Sequence, residues 1–469
     1  MELNRQTDFY GKNAHIIGMA RSGLAAAEVL SSLGAVVTIH DKKEDSELSD
    51  VWNMIRELGI ETRTGSTAYE GIENADLVVT SPGVPETCEG LVTAASHDVP
   101  ILSEIELAYR ISPAPIIAVT GTNGKTTTTA LIGEILKCDG RQVYVAGNIV
   151  AGEIRLPLVR AAFRASASDV IVAEISSFQL EWISSFRPTV AALLNVSADH
   201  MDRHPSIETY ARTKARIFEH QEAADYSVVN ADDPTLMALV PSLKGQVRMF
   251  SLKHEVELGT FMRGSEVWIR TPDGEDFVCD TSTMKLQGDH NIENILAAAA
   301  AALSFGVGRH AVQEAIDSFA ALEHRLEPVR EIDGVEFLNN SMCTNVDAAV
   351  RSLEAIGRPA IVIAGGKDKG NDYALLGEAF VKHAKHVVLI GKDAPLIEKA
   401  ARDAGFDRIS NSASLEEAVE EAWRVAEPGD TVILSPACAS FDMFKDFEHR
   451  GQVFKAAVNA LADRIGAQR

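Results

Sequence analysis

The run Ile116-Ile117-Ala118-Val119-Thr120-Gly121-Thr122-Asn123-Gly124-Lys125-Thr126-Thr127 decides how the chain is read. Its first five residues are apolar or β-branched, the pattern of a short buried strand. A turn with two glycines follows, then Lys125 and Thr126, and a helical pattern runs through Ile135. Strand, glycine turn and helix N-terminus make an anion cradle, because free backbone N–H groups and the helix dipole face a phosphate. In such a cradle Lys125 sits on the terminal phosphates and Thr126 Oγ is a ligand for Mg²⁺. The usual eight-residue loop has a glycine where this chain has Val119, so the match is to the shortened form GxxGKT. A plain turn is the competing reading, and Gly-Lys-Thr-Thr straight after a strand fits it poorly. Gly121, Thr122, Asn123, Gly124, Lys125, Thr126 and Thr127 are therefore expected to bind ATP.

Upstream, the chain opens with strand Ala14–Gly18, a turn over Met19–Ser22, helix Gly23–Leu33 and strand Ala35–His40 ending at Asp41. This βαβ start is close to a dinucleotide fingerprint, but Ala20 replaces the middle glycine that lets a pyrophosphate approach the backbone. Another nucleotide diphosphate held by the same geometry fits better than NAD. Arg21, Ser22, Asp41, Lys42 and Lys43 lie at the carboxyl ends of these strands, where open parallel sheets bind ligands. Strand Leu77–Thr80 empties on the same edge into Ser81-Pro82-Gly83-Val84, and ordinary loop chemistry competes with a binding role for each of these residues. Ser112-Pro113-Ala114-Pro115 marks a boundary just before the ATP-loop strand.

Downstream, Val145–Ile149 is a strand end with the amide of Asn148 exposed, and strand Val170–Ala173 ends in Glu174. A carboxylate in that position is where a nucleotide's Mg²⁺ is usually held. Strand Val190–Leu194 leads into Asn195–His204, a loop dense in carboxylates and imidazoles that includes His200. Lys214 lies in a helical stretch, Ile207–His220, between Arg212 and Arg216, and by itself reads as a solvated lysine. Asp289, His290 and Asn291 are good N-cap residues for the Ala-rich helix that continues to Phe305, and Asn and His edges also suit an adenine. The last third reads as another α/β sheet, with strands Ala360–Ala364, His386–Ile390 and Thr431–Leu434. Three polar loops stand out in it: Asn339–Asn345, Gly365–Gly370 and Ser435–Asp442.

Composition bounds the rest. At 469 residues the length suggests about three domains, and a net charge of −23 argues against nucleic acid and against an anionic membrane surface. The five cysteines have no metal or disulfide spacing and read as buried reduced thiols. No basic-then-apolar signal opens the chain, and its most apolar run, Ile295–Phe305, is too short for a bilayer, so a cytoplasmic protein is expected.

Gly121-Thr-Asn-Gly-Lys-Thr, Glu174-Ile-Ser-Ser-Phe-Gln-Leu-Glu, Asn195 to Arg203, His290-Asn291 and His324-Arg325 together resemble the Mur ligase family. Ser435-Pro-Ala-Cys-Ala-Ser and Phe447-Glu-His-Arg-Gly-Gln point within it to a member that adds an acidic amino acid. The resemblance runs nearly end to end. It implies three α/β domains: a Rossmann-like UDP-binding domain (1–111), a central P-loop ATPase-like domain (112–323) and a C-terminal Rossmann-like domain for the amino acid (324–469). It also implies a monomeric enzyme joining an acidic amino acid to UDP-N-acetylmuramoyl-L-alanine with ATP and two Mg²⁺ sites. Thr126 and Glu174 would serve one Mg²⁺, and His200 and a carbamylated Lys214 the other. Asn291 and Asn294 would face adenine, with Arg325 and Asn340 also toward the nucleotide. Arg21, Ser22, Asp41 and Lys42 would hold the UDP end, with Ser81, Gly83 and Asn148 further along. Thr344, Lys369, Ser440, Phe441 and Phe447 would surround the amino acid.

The chain departs from the family at one loop, reading Asn340-Ser341-Met342-Cys343-Thr344-Asn345 where Asp-Ser-Lys-Ala-Thr-Asn is usual. A carboxylate becomes an amide and a lysine becomes a thioether, while Lys369 keeps a cation for an acidic substrate. A related ligase adding another amino acid, and a non-catalytic UDP-sugar-binding homologue, are the alternatives.

Overall fold

The computed structural model describes residues 7–44, 55, 58–150, 154–201, 203–284, 288–319, 322–368 and 370–467. Its described strands form three sheets. The first holds β1 (Asn13–Ile17), β2 (Val36–Asp41), β3 (Glu61–Thr64), β4 (Leu77–Thr80) and β5 (Ile101–Ser103), all parallel in the order β3-β2-β1-β4-β5. The order reverses between β1 and β4, and a crevice opens at the carboxyl ends of strands beside such a switch. Helix Arg21–Ser32 starts two residues earlier than the sequence pattern predicts, so Arg21 and Ser22 form its first turn rather than the preceding loop.

The second sheet has nine strands: β6 (Ile116–Thr120), β7 (Val143–Gly147), β8 (Val170–Glu174), β9 (Val190–Leu193), β10 (Tyr226–Asn230), β11 (Gln246–Ser251), β12 (Gly259–Arg263), β13 (Glu266–Thr271) and β14 (Gly274–Asp280). Their order is β14-β13-β12-β11-β10-β9-β6-β8-β7. Only the β12–β13–β14 meander is antiparallel. Central β6 is fully buried, as its unbroken apolar run requires in a sheet covered on both faces. Val119 belongs to that strand, which is why no glycine stands there.

The third sheet runs β15-β16-β20-β17-β18-β19, with β15 (Glu327–Ile332), β16 (Val335–Asn339), β17 (Ala360–Gly365), β18 (Ala384–Ile390), β19 (Ile409–Asn411) and β20 (Thr431–Leu434). Ile361 and Ile363 of β17 face a core with Phe454, while Val362 and Ala364 face another with Phe380. The period-two alternation of a strand thus feeds two helical layers at once.

The chain packs as two compact units: Met1–Asn195, Tyr210–Ser282 and Asn294–Ile316 make one, Val196–Thr209, Thr283–Glu293 and Asp317–Arg469 the other. The first unit contains two sheets, and Glu106 ties the connector between them to the second. This carboxylate, on helix Glu104–Ile111, accepts the N–H groups of Ser184, Ser185 and Phe186 at 3.0, 3.1 and 2.8 Å, and Arg110 at 2.9 Å. Burial by itself would raise its pKa, but the Ser185 hydroxyl, these N–H groups and Arg110 hold it down at about 2.

Two expectations need correcting. Asp289, His290 and Asn291 do not precede their helix, which begins at Asp289, so they are first-turn residues and not caps. The cysteines are all free, but only Cys279, Cys343 and Cys438 are buried; Cys88 and Cys138 are partly exposed.

Candidate functional site

At the β1/β4 switch a cavity of about 1090 Å³ opens, lined by Arg21, Ser22, Asp41, Lys42, Ser81 and Gly83 among others. Asp41 shapes the rim: its carboxylate accepts the N–H of Met19 at 2.9 Å and of Lys43 at 3.1 Å. Ser81 donates to the Gly18 carbonyl at 3.1 Å, which ties the two strand ends together, and Arg21 donates to the Gly147 carbonyl at 3.4 Å. One wall was not legible in the sequence: Gly65, Ser66, Ala68 and Tyr69 line the cavity too. This wall rests on His40, whose Nδ1 donates to the Ala68 carbonyl at 2.5 Å while Nε2 pairs with His15 Nδ1 at 2.9 Å. Burial lowers the His40 pKa to about 4, so the ring is neutral at ordinary pH.

The glycine loop after β6 leads into helix Lys125–Cys138. Gly124 has φ +83, which favours glycine, and a Cβ there would stand 2.3 Å from Asn294 Oδ1 and displace that side chain. Asn195 clamps the loop, its Oδ1 accepting Asn123 N at 2.8 Å and its Nδ2 donating to Asn123 O at 3.1 Å. Lys125 Nζ folds over the loop onto the carbonyls of Gly121 (3.0 Å) and Thr122 (2.8 Å). Lys214 Nζ reaches the same Gly121 carbonyl at 2.8 Å and lies 4.4 Å from the Tyr210 ring centre. With 1% exposure Lys214 is not the solvated lysine its neighbours suggested.

Beside the loop, the Glu174 carboxylate accepts Thr126 Oγ1 on one oxygen and Asn148 Nδ2 on the other, both at 2.8 Å. Gly147 makes this possible: a Cβ there would sit 2.3 Å from the Glu174 carbonyl. Thr120 Oγ1 and Thr127 Oγ1 are buried without a hydrogen-bond partner among the described residues. The Thr126 hydroxyl and the Glu174 carboxylate are paired hard oxygen donors, which suit Mg²⁺ rather than a soft metal. Asn294 is buried on helix Asp289–Ser304 and accepts Thr128 Oγ1 at 3.2 Å.

The other expected residues belong to the second unit. His200 has φ 56, and its N–H donates to Asp199 Oδ1 at 2.9 Å; Asp199 Oδ2 accepts Asn345 Nδ2 at 3.3 Å. His290 is driven down to about pH 4 by burial and then by the charges of Arg325 and Arg351, which groups Arg325 with the start of the helix that carries Asn291. Asn340 is turned inward, its Oδ1 accepting Leu326 N at 3.2 Å and its Nδ2 donating to Ser352 Oγ at 2.9 Å. Thr344 and Phe447 are half-buried, Ser440 is buried and Phe441 is 68% exposed. Lys369 lies outside the described residues.

Known proteins share this architecture. Residues 12–103 match the Mur ligase MurD-like N-terminal domain, 119–302 the Mur ligase middle domain and 324–438 the Mur ligase glutamate ligase domain. The chain is 43% identical to the UDP-N-acetylmuramoylalanine--D-glutamate ligase of Thermoanaerobacter pseudethanolicus, over 96% of this chain and 99% of that one. It is 44% identical to the enzyme of the same name from Pelotomaculum thermopropionicum, over 97% and 99%. Among solved structures, a pseudomurein peptide ligase type C from Methanothermus fervidus superposes with a TM-score of 0.61 at 20% identity, covering 96% of this chain and 100% of that one. A MurF ligase from Thermotoga maritima in complex with ADP does so with a TM-score of 0.59 at 16% identity, covering 98% of each. At these identities the structures speak for the fold alone.

Proposed function

The chain belongs to the Mur ligase family, and on that premise we propose that this ATP-dependent ligase joins D-glutamate to UDP-N-acetylmuramoyl-L-alanine in peptidoglycan precursor synthesis. The observation that carries the reading is the convergence of Lys125, Lys214, Thr126 and Glu174 on one phosphate loop. The large cavity at the β1/β4 switch, in the same unit, suits the UDP end of the substrate.

The chemistry explains why ATP is needed. A carboxylate is anionic and lacks a leaving group, so an amine does not attack it. A carboxylate oxygen of the substrate first attacks the γ-phosphorus, the bond to ADP breaks, and an acyl phosphate forms. The glutamate amine then attacks the acyl carbon, phosphate departs with its C–O bond pair, and the nitrogen sheds a proton. Catalysis is chiefly positioning and charge neutralisation. Lys125 would leave its own loop carbonyls for the β/γ-phosphates, and the loop N–H groups would hold the phosphate oxygens. Mg²⁺ held by Thr126 and Glu174 would supply further neutralisation of the phosphates. Carbamylation of Lys214 would convert a buried cation into an anionic oxygen donor able to serve a second Mg²⁺. Isotopically labelled bicarbonate should give a carbamate NMR signal that Lys214→Arg removes; a signal unchanged by the substitution would dismiss that modification.

The deciding experiment is phosphate release with ATP, Mg²⁺ and UDP-N-acetylmuramoyl-L-alanine while D-glutamate, L-glutamate and other amino acids are offered in parallel. D-glutamate should be strongly preferred. Preference for another amino acid would make the loop with Asn340 and Met342 the specificity determinant, and no turnover with any would favour a non-catalytic UDP-sugar binder.

A further inference from the structure

Beneath the loops of the second unit lies an arginine to which the family pattern assigned no role. Arg450 follows Phe447 within the first turn of helix Phe447–Ala467 and is fully buried. Its guanidinium donates from Nε to Ser341 Oγ at 3.0 Å, from Nη2 to the Ser341 carbonyl at 2.8 Å and from Nη1 to the Cys438 carbonyl at 3.1 Å. The Ser341 hydroxyl in turn donates to the Phe447 carbonyl at 2.7 Å. One side chain therefore ties together the loop after β16, which carries Thr344, the loop after β20, which carries Ser440, and the helix start at Phe447. The loop after β17 joins them through paired backbone hydrogen bonds between Lys367 and Ala439, at 2.8 and 3.1 Å.

Among the described residues, every acceptor of this guanidinium is neutral. Asp442 is the carboxylate that acts on its charge, and it does so without a hydrogen bond among the described residues. Burial draws the Arg450 pKa down to about 10, which still leaves it protonated at neutral pH. Buried cations are normally matched by a hydrogen-bonded carboxylate, because an uncompensated one is costly. Its charge is therefore felt by the surrounding loops through an interior that screens poorly. In one of those loops Met342 stands where the family pattern has a lysine.

We propose that Arg450 is the positioning residue of the acidic amino acid's subsite: it braces the loops carrying Thr344, Ser440 and Phe447, and its charge supplies the anion preference that Met342 leaves missing. The proposal rests on the reading that D-glutamate is the amino acid joined.

The test is steady-state kinetics on the full chain, with D-glutamate and its neutral isostere D-glutamine, for wild type, Arg450→Met, Arg450→Lys and Ser341→Ala. Arg450→Met should raise the KM for D-glutamate about tenfold or more and erase much of the preference over D-glutamine, while the KM values for ATP and the UDP substrate stay within about twofold. Arg450→Lys, which keeps the charge but loses the fork, should recover part of this. Ser341→Ala, a small change that loosens the brace and leaves the charge, should raise the D-glutamate KM severalfold. An unchanged D-glutamate KM in these folded variants, or a rise shared equally by all three substrates, would overturn the proposal. If Arg450→Met does not fold, Arg450→Lys and Ser341→Ala decide it by the same criterion. Wild type that ignores D-glutamate defeats the functional reading itself, whereas wild-type turnover with insensitive variants defeats this proposal alone.

Discussion

Lys125 and Lys214 both end on the Gly121 carbonyl, yet the sequence presents them differently. Lys125 announces itself, since a lysine after Gly124 at a helix start has one common use. Lys125→Ala is expected to lower turnover by about 100-fold or more, because the cation proposed for the developing phosphate charge is lost. Binding of the UDP substrate, followed by calorimetry, should be unchanged; equal loss of both would make the loop a structural element only. Gly124→Ala is expected to be as damaging to turnover, and to lower the melting temperature as well, since the new Cβ meets Asn294 in a left-handed backbone. Lys214 is the opposite case. Flanked by Arg212 and Arg216, it looks solvated until the helix Ile207–Ala215 packs and turns it inward with Tyr210 and Ala211.

Among the elements, the connector helix Glu104–Ile111 carries the clearest stability prediction. Glu106 has its pKa depressed from 4.5 to about 2, so its contribution is fully present above pH 4.5 and is lost as pH falls toward 2. A shift of that size corresponds to roughly 3 kcal/mol, and Glu106→Gln should lower the melting temperature at neutral pH and flatten the melting curve's dependence on pH across that window. A variant as acid-sensitive as wild type there would rule this out. His40 acts in a neighbouring window with the same sign. Its folded pKa is about 4 against 6.5 unfolded, so between these values the unfolded chain binds the extra proton and stability falls as pH drops. His40→Gln should reduce that slope, to which buried His290 also contributes, and weaken the Gly65–Tyr69 wall of the cavity, read as a higher dissociation constant for the UDP substrate.

At the scale of the whole molecule, three sheets occupy successive stretches of chain, but packing does not respect those stretches. The segments Val196–Thr209 and Thr283–Glu293 precede the third sheet and yet pack with it. Their ties are Ser197 to Asp347 at 3.3 Å, Asp199 to Asn345 at 3.3 Å and Glu293 to Arg351 at 2.9 Å. A fragment of residues 324–469 is therefore expected to melt at a lower temperature than the corresponding transition of the intact chain by calorimetry. Equal transitions would show those segments to be dispensable. By itself, the sequence determined what short-range chemistry dictates: the strand, glycine turn and helix around Lys125, the run of parallel strands, the strand ends beside the cavity, and Glu174 closing β8. Each follows from residues within about one strand and one turn, where periodicity and backbone geometry act locally. Only the tertiary structure decided the burial of Lys214, the His40 prop, the Glu106 weld and the Arg450 brace. Glu106 meets Ser184 across 78 positions and Arg450 meets Ser341 across 109. Partners that far apart share no local pattern; their meeting is set by which layers stack and by the need to satisfy every buried polar group.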